Sequence, residues 1–239
     1  MKLNILLKRE PFEFIFKKTV ESYLKAKFNW NGEIKVENKL RSRSSFLLNS
    51  YLNIIFPSNI SESSLKIFIN EHLYDKNLFK RILRKIYLYF SISIHTRYFF
   101  SSRILSLTKY KKRFDEFVFL GGNNSIKIID LKNKNCIVLK KYEFDPKFFN
   151  QALDIRILYS HLIGNTITDY DKNDYWYKEL LLEGIPLDRQ RSDLYSARAL
   201  NIAKENMKQI YKVSTRYYKF EPYINNIIKK INQEINNLN

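Results

Sequence analysis

Cysteine, glycine, proline and histidine are all scarce in this chain. Of 239 residues, 1 is Cys, 5 are Gly, 5 are Pro and 3 are His. The lone Cys136 excludes an intramolecular disulfide and suits a reducing compartment. Lying inside an apolar strand, it reads as a small buried side chain. So few glycines and prolines leave little material for flexible linkers. His72, His95 and His161 lack metal-ligand spacing. Asp169, Asp171 and Asp174 lack the glycine and closing glutamate of a calcium loop, so no metal site is expected. Ser192 and Ser196 have no histidine nearby in sequence, which leaves a hydrolase triad without support. The strongest apolar stretch, Ile86–Ile94, is far below the ~20 residues of a membrane-spanning helix. No transmembrane segment is therefore expected. Met1–Arg9 is too short and too early-charged for a signal peptide. The expected compartment is cytoplasmic, with peripheral attachment to a membrane as its variant.

What is abundant is apolar, aromatic and basic. The chain is 45% hydrophobic and 15% aromatic, too apolar to be disordered throughout. Its net charge is +18, and residues 1–114 carry 23 Lys and Arg against 8 Asp and Glu. The basic half is thus the first half. Nucleic acid, an anionic membrane surface and an acidic polymer are the partners such charge would attract. The alternative is a lysine-rich solvated surface with no partner.

Periodicity divides the chain into two regions. In the first, Pro11–Lys27 reads as a helix with Phe12, Phe14, Ile15, Val20 and Leu24 on its apolar side. Trp30-Asn31-Gly32 marks a turn and Ile34-Lys35-Val36 a short strand. Leu47–Phe56 is an apolar segment that Pro57 stops. Ser61–Ser64 offers a helix start. Asn77–Tyr110 reads as helical, basic and aromatic: Lys80, Arg81, Arg84 and Lys85, with Tyr87 and Tyr89, could form a phosphate-binding face.

The second region is a regular series of strands. Phe117–Leu120 ends at the turn Gly121-Gly122-Asn123-Asn124, and Ser125–Asp130 half alternates. After Lys132–Asn135, the run Cys136-Ile137-Val138-Leu139-Lys140 completes a three-stranded antiparallel meander and carries a lysine to its end. Asp145-Pro146 opens a helix, as capping aspartate and first-turn proline should, and Gly164 can end it. Asn165–Thr168 and Tyr175–Leu182 read as strands around a polar turn. Glu183–Leu187 is an extended connector, and two helices follow, Asp193–Tyr211 and Glu221–Leu238.

In these residues the sequence resembles the aminoglycoside/choline phosphotransferase group, small-molecule kinases with a protein-kinase-like fold. The resemblance covers about residues 116–238. It implies a kinase-like N-lobe with hinge over 115–189 and the helical start of a truncated C-lobe over 190–239; with the basic, mainly helical domain that charge and periodicity give over 1–114, the expected fold class is α+β. The N-lobe would be an antiparallel sheet of about five strands with one packed helix. The resemblance also implies ATP with Mg2+ as cofactor. Gly121, Gly122, Asn123 and Asn124 would cover the phosphates, Lys140 would contact them, and the backbone at Leu180, Leu182 and Glu183 would grip adenine.

Three departures qualify the activity. The best alignment of the helix after Lys140 puts Ala152 where the family has a lysine-pairing glutamate, with Asp154 the nearest acid. Two adjacent glycines replace a spaced glycine-rich loop. No aspartate follows Asp193 and no histidine follows His161, so the family's catalytic and metal-binding aspartates have no counterpart and no catalytic residue is assigned. The expected function is a truncated ATP-dependent phosphotransferase, inactive alone, whose partners are a nucleotide and a separate C-lobe chain. The alternative is a basic protein that binds nucleic acid or an anionic surface. On a blander reading, Lys140 is an ordinary strand-end lysine and Gly121-Gly122 an ordinary hairpin turn.

Overall fold

Strands whose every residue is apolar must be covered on both faces, and that condition organises the fold. In the computed structural model of the chain the described residues are 8, 10–37, 45–69, 78–109, 111–158, 160, 167–181 and 193–214. Nine strands are present among them: β1 (Ile34–Glu37), β2 (Ser45–Asn49), β3 (Ile54–Pro57), β4 (Arg103–Leu107), β5 (Phe117–Gly121), β6 (Ser125–Asp130), β7 (Asn135–Lys140), β8 (Ile167–Asp171) and β9 (Trp176–Leu180). They form one sheet in the order β1-β4-β2-β3-β5-β6-β7-β9-β8, and every neighbouring pair is antiparallel.

Helix α1 (Phe12–Phe28) covers one face. Its Phe12, Phe16, Val20, Tyr23 and Leu24 cluster with the strand residues of that face, among them Phe46, Leu48, Phe117, Phe119, Ile137 and Leu139. The alternate residues of the strands, including Leu47, Phe56, Val118, Ile129, Cys136 and Val138, lie on the opposite face. There it packs with Leu65 of α2 (Glu62–Ile69), Leu88 and Ile92 of α3 (Leu78–Ile92), and Phe149 and Leu153 of α4 (Pro146–Leu158). Each such side chain contributes about 1.5–3 kcal/mol on burial, so two-sided cover explains why β2, β3 and β7 read as continuous apolar runs. Asn29 ends α1 in the left-handed conformation, with φ 47°.

The chain falls into two compact units, Met1–Ser160 with Asn165–Arg189, and His161–Gly164 with Gln190–Asn239. The sheet belongs to the first. In the second, α5 (Asp193–Ser214) is the described element, and the expected helix Glu221–Leu238 lies outside the described residues.

The α+β class holds, but the sheet has nine strands rather than about five. Four come from the first half of the chain, which supplies β1–β4 as well as α1–α3. Leu47–Phe56 is two strands, because Asn49 accepts the amides of Tyr51 and Leu52 and turns the chain. The segment expected as helix through Tyr110 leaves α3 at Ile92 and returns as β4, which inserts between β1 and β2.

Candidate functional site

The β5–β6 turn and the end of β7 meet by register. Ser125 pairs directly with Lys140, so Gly121–Asn124 and Lys140 share one end of the sheet. Gly122 donates its amide to the Ser125 carbonyl at 2.9 Å. A Cβ on Gly122 would stand 2.8 Å from that same oxygen, so the hairpin itself demands glycine here. Asn123 and Asn124 are exposed at the tip.

Two adjacent lysines end in different surroundings. Lys140 Nζ donates to the carbonyls of Phe144 at 3.0 Å and Lys141 at 3.2 Å, and it lies 5.1 Å above the Tyr175 ring. Burial holds its ammonium below the usual lysine range, and Asp145 partly offsets that. Lys141 turns the other way. It is 4% exposed, ion-paired with Glu10, and donates to the Asn123 carbonyl at 3.3 Å. Its backbone amide donates to the Asn124 carbonyl at 3.2 Å. Lys141, not Lys140, therefore pins the turn. The adjacent-lysine signal was visible in the sequence; nothing local distinguished which one would be buried against Glu10.

Helix α4 offers Lys140 no carboxylate from its middle. Ala152 is exposed, and Asp154 points to the β8–β9 turn, where it pairs with Lys172 at 2.6 Å. The acid that acts on Lys140 is Asp145, whose side chain accepts the Lys147 amide at 2.8 Å in the first turn of α4. A different carboxylate lies under α4. Glu179, which pairs across the sheet with Cys136, is buried and holds Arg156 at 3.1 Å. Burial pushes the neighbouring Cys136 thiol up to about 12, which makes it an inert core group.

Leu180, the first expected adenine contact, is half-exposed at the far end of β9. It pairs with Asn135, at the opposite end of β7 from Lys140. Five residue steps at ~3.3 Å each put roughly 16 Å between the two positions. The next amide, Leu181 N–H, donates to the Lys134 carbonyl at 2.8 Å. Leu182 and Glu183 lie outside the described residues.

A cavity of about 100 Å³ adjoins Lys140, between α1 and the β8–β9 turn, lined in part by Lys18, Ser22, Tyr23, Tyr142 and Asp174. A cleft of about 830 Å³ opens at the other end of the sheet, lined by Lys112, Arg113, Asp115, Glu116, Asp130, Lys132 and Asn133. No family model matches the chain, and no curated protein or solved structure does either.

Asp171 forms a local turn by accepting the amides of Asn173 and Asp174, and Asp169 faces Lys27 at 3.3 Å and Lys178 at 4.0 Å. His95 is exposed, while His72 and His161 lie outside the described residues. Among the described residues no three His, Cys, Asp or Glu side chains are grouped to hold a metal ion.

Proposed function

We propose that residues 117–181 form a nucleotide-holding lobe of the phosphotransferase kind, with the phosphates at the Lys140 end and the base toward Leu180. The carrying observation is the juxtaposition of Lys140 with the Gly121–Asn124 turn at one end of three paired strands. The order of three strands, helix and two strands supports the same reading, because it is the order on which the resemblance rests.

Chemically, Lys140 has three N–H donors, and two go to the carbonyls of Phe144 and Lys141. A phosphate oxygen would take the third donor or replace one of those carbonyls. The depressed ammonium pKa makes an incoming anion the natural compensation for its burial. Mg2+ would enter with the phosphates it already bridges. Transfer requires a positioned base and charge stabilisation besides, and the lobe supplies binding rather than turnover.

Thermal unfolding with MgATP, beside Lys140→Ala, tests this. A ligand at ten times its dissociation constant stabilises by about 1.4 kcal/mol, or roughly 3–5 °C for a chain of this size. The expected result is a shift in the wild type that the variant loses. An equal shift with magnesium tripolyphosphate would reduce the site to generic polyanion binding, and no shift at millimolar MgATP would end the nucleotide reading.

A further inference from the structure

Helix α3 is turned inside out. An amphipathic helix on a sheet normally buries its apolar stripe, yet α3 faces the core with Leu88, Ser91 and Ile92. At 100° per residue, Leu78, Phe79, Ile82, Leu83, Ile86, Tyr89 and Phe90 fall within an arc of about 140° on the opposite side. All seven are exposed, with Leu78, Phe79 and Tyr89 at 60%, 69% and 61%. The 3-10 turn after the helix, Arg97–Phe100, adds Phe99 at 80%.

The charges lie where this stripe ends. Lys85 flanks one edge and Lys80 the other, while Arg81 and Arg84 sit on the more buried side. No acid occurs anywhere in the sequence of α3. The helix belongs to the half of the chain that carries 23 Lys and Arg against 8 Asp and Glu. Contiguous exposed apolar surface on this scale marks an interaction site.

We infer that α3 docks in the plane of an anionic lipid bilayer. Its apolar arc enters the boundary between headgroups and acyl chains, and Lys85 extends along it to the lipid phosphates. A nucleic acid would use the cations but leave the Leu, Phe and Ile stripe against water or phosphate, where it gains nothing. Fifteen residues make a helix about 22 Å long, and among the described residues no helix is long and apolar enough to cross a membrane. Lying in the interface is the geometry left to it. This inference is independent of the nucleotide reading, since it uses no residue of the 117–181 lobe.

The test is cosedimentation of the full chain with vesicles of phosphatidylcholine containing 30% phosphatidylserine, against vesicles of phosphatidylcholine alone, at low and high salt. The expected result is binding to the anionic vesicles that weakens with salt. Phe79→Ser with Ile82→Ser should reduce that binding more than tenfold at an unchanged unfolding temperature, because both side chains are exposed. Lys85→Gln should reduce it about fivefold. Failure to sediment with anionic vesicles at low salt overturns the proposal. So does a Phe79→Ser/Ile82→Ser chain that binds as well as the wild type, since the contact would then be charge alone, as with an oligonucleotide. Concentration-dependent dimers abolished by the same double substitution, without vesicle binding, would assign the face to a second copy of the chain and sink the bilayer.

Discussion

Lys141 and Glu10, 131 residues apart in sequence, form an ion pair that ties the β5–β6 turn to the segment entering α1. Lys141 also holds the carbonyl of Asn123, and Glu10 accepts the Phe12 amide through its own carbonyl at 2.7 Å. One buried cation thus joins the hairpin tip to the start of the helix that covers the sheet.

Removing one member should therefore be costly. Lys141→Met removes the cation of a buried pair, and breaking such a pair costs about 3 kcal/mol. The expected result is a matching fall in urea-unfolding stability, most of it recovered when Glu10→Leu is added. A single-variant loss under ~1 kcal/mol would place the pair with ordinary surface contacts. Lys140→Ala removes no paired carboxylate contact, only two carbonyl hydrogen bonds and a ring contact, and should change stability far less.

The core titrates at alkaline pH. Burial pushes the Tyr177 hydroxyl and the Cys136 thiol up to about 12, and it raises Tyr23 as well. In the unfolded chain thiol and phenol ionise near ~8.5 and ~10. The folded chain holds these protons longer, so their contribution is full below about pH 8.5 and is lost as pH climbs toward 12. Unfolding temperatures measured from pH 8 to 11 should fall, and Cys136→Val should flatten the first part of that decline. The native thiol should also resist a disulfide reagent at pH 8 until urea unfolds the chain; prompt reaction would mean that Cys136 is accessible.

Gly32 permits a close approach. A Cβ there would meet the Thr108 carbonyl and the Trp30 ring at 2.3 Å. Trp30 cannot easily retreat, because its indole donates to the Lys109 carbonyl at 2.9 Å and its ring is buried. Gly32→Ala should destabilise by about 2 kcal/mol, read from the urea midpoint. A neutral result would show that the β4 end can shift.

Asp154 should be dispensable for both stability and ligand. It is 57% exposed and its partner Lys172 45% exposed, and exposed pairs contribute about 0–1 kcal/mol. Asp154→Ala should leave any MgATP shift intact and change stability by less than about 0.5 kcal/mol. Loss of the MgATP shift in this variant would mean that α4 moves Asp154 toward Lys140 when nucleotide binds.

Local pattern alone carried α1 to within a residue at each end, the β5–β6–β7 meander, the start of α4 at Asp145-Pro146, and the start of α5. These are features that a few neighbouring residues decide: turn chemistry, capping and the period of apolar side chains. The juxtaposition of Lys140 with the Gly121–Asn124 turn was legible for the same reason, since a short hairpin sets its own register.

Which strands β1–β4 would join was not decided locally. β4 pairs with β1 about 70 residues earlier, matching Leu107 to Ile34, and such pairing depends on surfaces that exist only when both strands are present. The direction of α3 was hidden for a related reason. Its sequence contains a clean apolar stripe, which by itself predicts burial, but the sheet face beneath it is filled by Leu88 and Ile92 together with α2 and α4. Periodicity determines that a helix has two unlike faces. Only the volume left over by the rest of the fold decides which of them meets the core.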